Sequence, residues 1–447
     1  MTTCGPSWPV RRPDGSDLRD TWVLRPGYDA TFSAPKSVSV LWALGDRHDA
    51  RAVLAAHEEA VEGAIDYLER HACRVRRGGI HGRGVRFEPG GGIVGAAFRH
   101  HTSRAGDPQL HSHVLVANAS VGPDDRWTGI DSKGLYAHAK SATALYQALL
   151  RRRLVETLGL RFVVSGDGTG DIDGIPREVL RRFSKRRTAI EEHMRKRGTA
   201  GAKAAQVATL ATRNAKDHSV SELDLHIRWE EEAAQIGFDP GSIRRSARRQ
   251  LAALPTDEEI ASRITVDDAT FDRAKAVWVI AANAVDGAGL AEIERRSDEF
   301  MANPLVVRLN EDRWTTSEML AIEERVLGHA VAGRGTGAGE ADAEAVAACL
   351  AARPSLSDEQ VTMVRRICTS GDRIETVVGA PGSGKTIALD AARAAWQASG
   401  HRVLGCALAA RAARGLQAGP PSLLAPSTAS CSTWSRAGSA WTRVPWS

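Results

Sequence analysis

The chain has 447 residues, 43% of them hydrophobic and 25% charged, which suits two to four domains with ordinary cores. No apolar run nears the ~20 residues of a bilayer-spanning helix, and the opening MTTCGPSWPVRRPDGSD has no signal-peptide stretch, so neither membrane insertion nor export is expected. The net charge is only +5, and Cys4, Cys73, Cys349, Cys368, Cys406 and Cys431 form no CxxC pair, which points away from disulfide or cysteine-zinc scaffolds and towards a cytoplasmic location.

From about Gly27 to Leu160, strand-like and helix-like stretches alternate. Val53 to His71 predicts a helix with Leu54, Val61, Ile65 and Leu68 on one face, and Ala139 to Leu158 predicts another that stops at Gly159. Between them, Gly92 to His100 and His111 to Ser120 are short and apolar enough for strands, joined by the turn signal Gly106-Asp107-Pro108. The mixture predicts an α+β layer with an antiparallel sheet.

In a strand, His111 and His113 share a face, and an antiparallel return would bring His100 beside them. Three neutral imidazoles make an open metal site, the kind that binds a substrate oxygen. That chemistry alone also suits a hydrolase or a cupin-like oxygenase, and a lone HxH is often plain strand surface.

Further on, 176–250 is charged, alanine-rich and helical in pattern. It holds the basic run Arg181, Arg182, Lys185, Arg186, Arg187, Arg195, Lys196 and Arg197, a solvated face or a phosphate-contact surface. Residues 251–332 predict a helical connector in which RLNEDRWTTSEML offers a β-wing and then a helix, the order of a winged helix. Residues 333–350, opening GRGTGAGEADAEA, are the linker candidate.

IETVVGAPGSGKT (Ile374 to Thr386) predicts a strand, a phosphate loop and a helix: Gly379, Gly382 and Gly384 let backbone amides wrap phosphates, Lys385 reaches the β/γ-phosphates and Thr386 holds Mg²⁺. ATP with Mg²⁺ is the implied ligand, bound weakly, because no plausible Walker B aspartate follows Thr386. The tail, residues 418–447, lacks periodicity and reads like a shifted frame.

Two long blocks, YDATFSAPKSVSVLWALGD (Tyr28 to Asp46) and FRHHTSRAGDPQLHSH (Phe98 to His113), resemble the signature blocks of TrwC/TraI-type conjugative relaxases. The resemblance continues through YAHAKSATALYQALLR and the basic segment near Arg181. It implies His100, His111 and His113 as ligands of a divalent metal (Mg²⁺, Mn²⁺ or Zn²⁺), the pattern Phe-x-His-x-x-Ser-Arg selecting His100 over His101. It implies Asp29 as the active-site aspartate, which orients a histidine or takes the nucleophile's proton. Lys36, Arg104, Arg186 and Arg187 are implied phosphate contacts and Trp127 a base-stacking residue. LSDEQ resembles the adenine-reading motif of superfamily 1 helicases, with Gln360 as the contact, and RVLGCALAARAARGLQ resembles that superfamily's next strand and DNA-contact loop.

The implied activity is nicking at a transfer origin by tyrosine transesterification, with ATP-driven unwinding. Single-stranded DNA and other conjugation proteins are the implied partners. The family's tyrosine cluster lies at the extreme amino terminus, where residues 1–24 do not resemble it, and this chain has tyrosines only at 28, 67, 136 and 146. The expectation is a relaxase domain over 25–250 without its tyrosine segment and the start of a P-loop helicase over 351–417, deficient in nicking and unwinding. The alternatives are a non-catalytic single-strand-binding remnant and an unrelated three-histidine metal hydrolase.

Overall fold

In GYDATFS and PQLHSHVLVA every second residue is apolar or small, the pattern of a strand with one buried face. In the computed structural model these two segments pair at the centre of a four-stranded antiparallel sheet. The structure describes residues 2–3, 26–78, 84–199, 201–212, 220–243, 245, 251–380 and 382–404. They divide into two units, Met1–Ser317 and Glu318–Ser447.

The first unit opens with β1 (Thr2–Thr3), β2 (Gly27–Ser33), α1 (Lys36–Leu44) and α2 (Arg47–Ala72). Next come β3 (Arg74–Arg77), β4 (Arg86–Pro89), β5 (Gly95–Thr102), β6 (Pro108–Ala117), β7 (Ser120–Val121) and β8 (Trp127–Thr128). The helix α3 (Ser132–Leu158), the ribbon of β9 (Phe162–Val164) and β10 (Gly170–Ile172), and four helices follow: α4 (Arg177–Arg182), α5 (Lys185–Lys196), α6 (Ala202–Ala211) and α7 (Glu222–Gln235).

The main sheet has the order β1-β2-β6-β5. Its inner face, with Tyr28, Ala30, Phe32, Val114 and Val116, shares one apolar core with α2 and α3. Both helices are longer than the periodicity indicated, because their starts are set by caps: Asp46 accepts from the Asp49 amide, and Asp131 from the Lys133 and Gly134 amides. The α3 helix stops where expected, with Gly159 at φ +62° and its N–H donating to the Val155 carbonyl.

The unit closes with α8 (Asp257–Ile264), α9 (Arg273–Asn283), α10 (Leu290–Met301), β11 (Val306–Arg308) and β12 (Trp314–Thr316), with Phe271 bridging Trp314. Arg151 of α3, fully buried, donates to the Gly168, Ala281 and Ala284 carbonyls. Glu294 of α10 accepts from Arg70 (2.8 Å) and pairs with His71 (2.7 Å), both on α2. These bonds hold the expected connector within the first unit, so the division falls at Ser317 rather than near 250 or 332.

The second unit contains α11 (Ser317–Ala332), which begins at the division, then α12 (Ala343–Ala351), α13 (Asp358–Thr369) and α14 (Lys385–Ala398). Val346 and Leu350 of α12 join Val364, Cys368, Ala388, Ala391, Ala392 and Ala395 in a small core. About half of the expected linker is therefore packed helix. The strand expected before the phosphate loop is not formed: 373–380 has no ladder, and Val378 is 97% exposed. A parallel strand needs neighbours and cover on both faces, and no described residue pairs with it.

Candidate metal centre and nucleic-acid face

Because β5 and β6 pair in register, with His100 opposite His111 and Phe98 opposite His113, period two places three imidazoles on the outer face of the sheet. Their ring centroids are 5.2–5.3 Å apart, and one nitrogen from each lies within 4.8 Å of the others. Among the described residues this is the one cluster of three or more histidine, cysteine or carboxylate groups spaced for a metal ion.

The outward nitrogens are fixed by what the inner ones do. His113 Nδ1 lies 2.8 Å from Asp29 Oδ2 and 3.0 Å from Oδ1, and His111 Nδ1 lies 2.8 Å from the Gln109 carbonyl oxygen. A carboxylate and a carbonyl can only accept, so Nδ1 carries the proton in each ring and Nε2 is left with its lone pair for a ligand. Thr31 Oγ1 adds a 3.2 Å contact to His113 Nδ1. Burial lowers the pKa of His111, keeping it neutral as ligation requires. Residues and chemistry thus fit a divalent ion with positions open to solvent.

His101 belongs to the other face of β5. Its ring packs 4.8 Å from that of Trp42, its Nδ1 meets Glu222 at 2.9 Å, and it joins a cluster with His226 and Trp229. Trp229 Nε1 and Arg228 Nη2 both donate to the Gly106 carbonyl, so α7 grips the turn of the metal-bearing hairpin. Below the sheet, Ser112, which lies between the two ligands of β6, meets His57 Nε2 at 2.8 Å, and His57 Nδ1 meets the Tyr146 hydroxyl at 2.8 Å. The sequence reading missed this buried relay: no spacing rule links positions 57, 112 and 146.

The expected phosphate contacts are less uniform. Lys36 Nζ donates to the Pro108 carbonyl at 2.7 Å, and burial lowers its pKa to about 8 despite Asp107 nearby, so it braces the hairpin from below. Arg186 donates to the Thr209 and Thr212 carbonyls at the end of α6. In the same basic run Arg182 and Lys185 pair with Glu232, Arg187 with Glu191, and Lys196 with Glu192. Much of the run is therefore engaged in ion pairs: Glu191 and Glu192 lie within it, and Glu232 folds back onto it from α7. Arg187 and Arg104 are exposed, and so is Trp127 (53%) on β8.

None of the four tyrosines faces the triad. Tyr28 is buried on the inner face of β2 with its ring 6.4 Å from that of Tyr136; Tyr67 bonds His138 and Tyr146 bonds His57. Burial raises the pKa of both Tyr67 and Tyr146.

In the second unit, Gly382 and Gly384 take positive φ (+80° and +72°), and Lys385 Nζ donates to the Gly379 and Ala380 carbonyls at 2.6 and 2.8 Å. Gln360 Nε2 donates to the Ser383 carbonyl at 2.9 Å. The expected adenine-reading residue and the phosphate loop are thus neighbours, and Thr386 is exposed at the start of α14.

The sequence description of the TrwC relaxase family matches residues 11–236, which is half of the chain. The chain belongs to the TrwC relaxase family. That match begins inside the amino-terminal segment that had looked atypical. An AAA-domain description matches residues 355–442, running across the tail that had read as a shifted frame, which lies outside the described residues.

Among curated relatives, the multifunctional conjugation protein TraI of Escherichia coli is 36% identical over 252 residues, 53% of this chain and 14% of TraI. A probable conjugal transfer protein TraA of Sinorhizobium fredii is 36% identical over 105 residues, 24% of this chain and 9% of TraA. The chain therefore spans about a seventh of the TraI length or less of its curated relatives. Solved structures of the conjugative relaxase TrwC with OriT DNA, one metal-free and one metal-bound, are 31% identical with a TM-score of 0.45. They cover 52% of this chain and 79% and 78% of those chains. No helix among the described residues is long and apolar enough to cross a membrane.

Proposed function

We propose that the outer face of the β1-β2-β6-β5 sheet binds single-stranded DNA of a transfer origin, with one backbone phosphate seated at the three histidines. The observation that carries this reading is the His100–His111–His113 cluster, with Asp29 orienting His113, on an open sheet face of a TrwC-family chain. A divalent ion held by these imidazoles would supply Lewis-acid polarisation of a phosphate oxygen. The residues themselves orient the ligands: Asp29 holds the His113 proton, and the Gln109 carbonyl holds that of His111.

The family reaction joins a tyrosine oxygen to phosphorus and breaks the P–O3′ bond; the tyrosine proton leaves and the 3′ oxygen gains one. The four tyrosines here are turned away from the triad, so strand cleavage needs a hydroxyl that these residues do not provide. Asp29 is already engaged with His113, which supports the orienting role over the proton-accepting one.

The helix, Phe271 bridge, two helices and ribbon of 257–316 support a winged-helix reading. There Glu294 of the third helix is spent on α2 rather than offered to DNA. Residues 355–404 are read as the opening of an AAA-type helicase that binds ATP·Mg²⁺ weakly, working in the cytoplasm with other conjugation proteins.

A fluorescein-labelled single-stranded oligonucleotide tests the reading by anisotropy, with Mn²⁺ or EDTA, over a salt series. Affinity should fall steeply with salt, and either EDTA or the double variant His111→Ala/His113→Ala should weaken it. No covalent adduct should survive denaturation. Salt-insensitive binding, or equal affinity with and without a working triad, would overturn the site; an adduct would overturn the cleavage deficiency.

A further inference from the structure

On β5 and β6 the ligands occupy three corners of a two-by-two block. His100 faces His111 in one row and Phe98 faces His113 in the next, so the fourth corner is Phe98. Rows two residues apart are separated by ~6.8 Å, and directly paired positions by ~4.5–5.5 Å. The chain places an aromatic ring, not a further ligand, at that corner.

Phe98 is 49% exposed, and its diagonal neighbour Leu115, on the same face one row further, is 39% exposed. This apolar pair is continuous with the metal cluster, and the sheet's apolar core lies on the opposite face. Among the described residues, Phe98 is not one of those packed into the apolar core. A ligand with an anionic head and a flat apolar body a short tether away fits the arrangement, and a nucleotide has that form.

We infer that Phe98, backed by Leu115, is a base-stacking subsite for the nucleotide whose phosphate sits at the three histidines. The inference rests on the proposed function and adds a residue to it. Stacking on an aromatic face tolerates any base, so Phe98 contributes affinity and positioning rather than sequence choice.

The test compares dT₆ with a hexamer of abasic phosphodiester units, both fluorescein-labelled, binding to the full chain in Mn²⁺ at fixed salt. Phe98→Ala should weaken dT₆ binding about five- to hundredfold and leave the abasic hexamer and Mn²⁺ affinity unchanged, while Phe98→Trp should retain dT₆ binding. Because Phe98 is half exposed, the variants should fold, and circular dichroism checks that they do. Equal effects of Phe98→Ala on the two hexamers, or no effect on dT₆, would overturn the subsite while leaving the proposed function standing. If the native chain binds neither hexamer, the proposed function falls and the subsite with it.

Discussion

Asp29 and His113 come from neighbouring strands and meet at 2.8 Å, so the aspartate sets both the tautomer and the tilt of a ligand ring. Removing such an outer partner typically lowers metal affinity by about 10- to 100-fold. Asp29→Ala should show that loss in a competitive Mn²⁺ or Zn²⁺ titration. Asp29→Asn should lose less, since an amide oxygen still accepts the His113 proton; equal affinity in all three proteins would remove Asp29 from the site. The clustering was legible from alternation along the strand and a turn that folds it back, and the family pattern then selected His100 over His101. Phe98 was equally legible by the same alternation, two residues before His100, but histidine chemistry drew the reading past it. Lys36 and Arg186 show where such a reading stops. A cation in a motif looks the same whether it meets a phosphate or a main-chain carbonyl, and only tertiary packing brings the Pro108 and Thr212 carbonyls to these two.

At the scale of elements, the joint between α3 and α9 includes a buried guanidinium as well as the Ser141 hydroxyl, which donates to the Ala274 carbonyl. Among the described residues Arg151 pairs with no carboxylate; burial lowers its pKa to about 10, and it serves three main-chain oxygens instead. Arg151→Met should take a donor from each of those carbonyls, of which Ala284 keeps the Gly287 N–H, at roughly 1–3 kcal/mol for each left bare, offset in part by removal of a buried charge. Urea unfolding of the full chain, followed by tryptophan fluorescence, should show an earlier midpoint for the first transition; an unchanged midpoint would mean that the joint is held elsewhere. Helix centres were readable from periodicity, whereas helix starts were not, since Asp46 and Asp131 cap segments that carry little apolar signal of their own. The strand before the phosphate loop failed for a reason no local pattern contains: a parallel strand exists only with its neighbours.

Across the first unit as a whole, acid should be a destabiliser through buried imidazoles. Burial, with the charges of Arg99, His111 and His101 adding to it, lowers the pKa of His57 to about 4 from the ordinary 6.5. Above pH 6.5 both folded and unfolded states hold it neutral. As pH falls towards 4 the unfolded chain takes a proton that the folded chain refuses, so stability drops, by up to about 3 kcal/mol from this residue. Burial lowers His111 and His138 in the same direction. The urea midpoint should therefore fall between pH 7 and pH 5 in the native chain and fall less in His57→Gln; parallel pH profiles would assign the effect to other groups. None of this was visible in the sequence, where His57 is one helix residue among many.

The three ligands lie between residues 100 and 113, on one hairpin closed by one turn. The chain between them is short, so little loop entropy stands between an unfolded segment and a gathered triad. Ion occupancy is consequently a poor witness to the integrity of the fold. A chain whose α2–α3 core has melted keeps the means to chelate, and what it loses is the contribution of Asp29 from β2, the strand next to the hairpin. Chelation with and without that contribution therefore separates a hairpin that has formed from a sheet that has assembled.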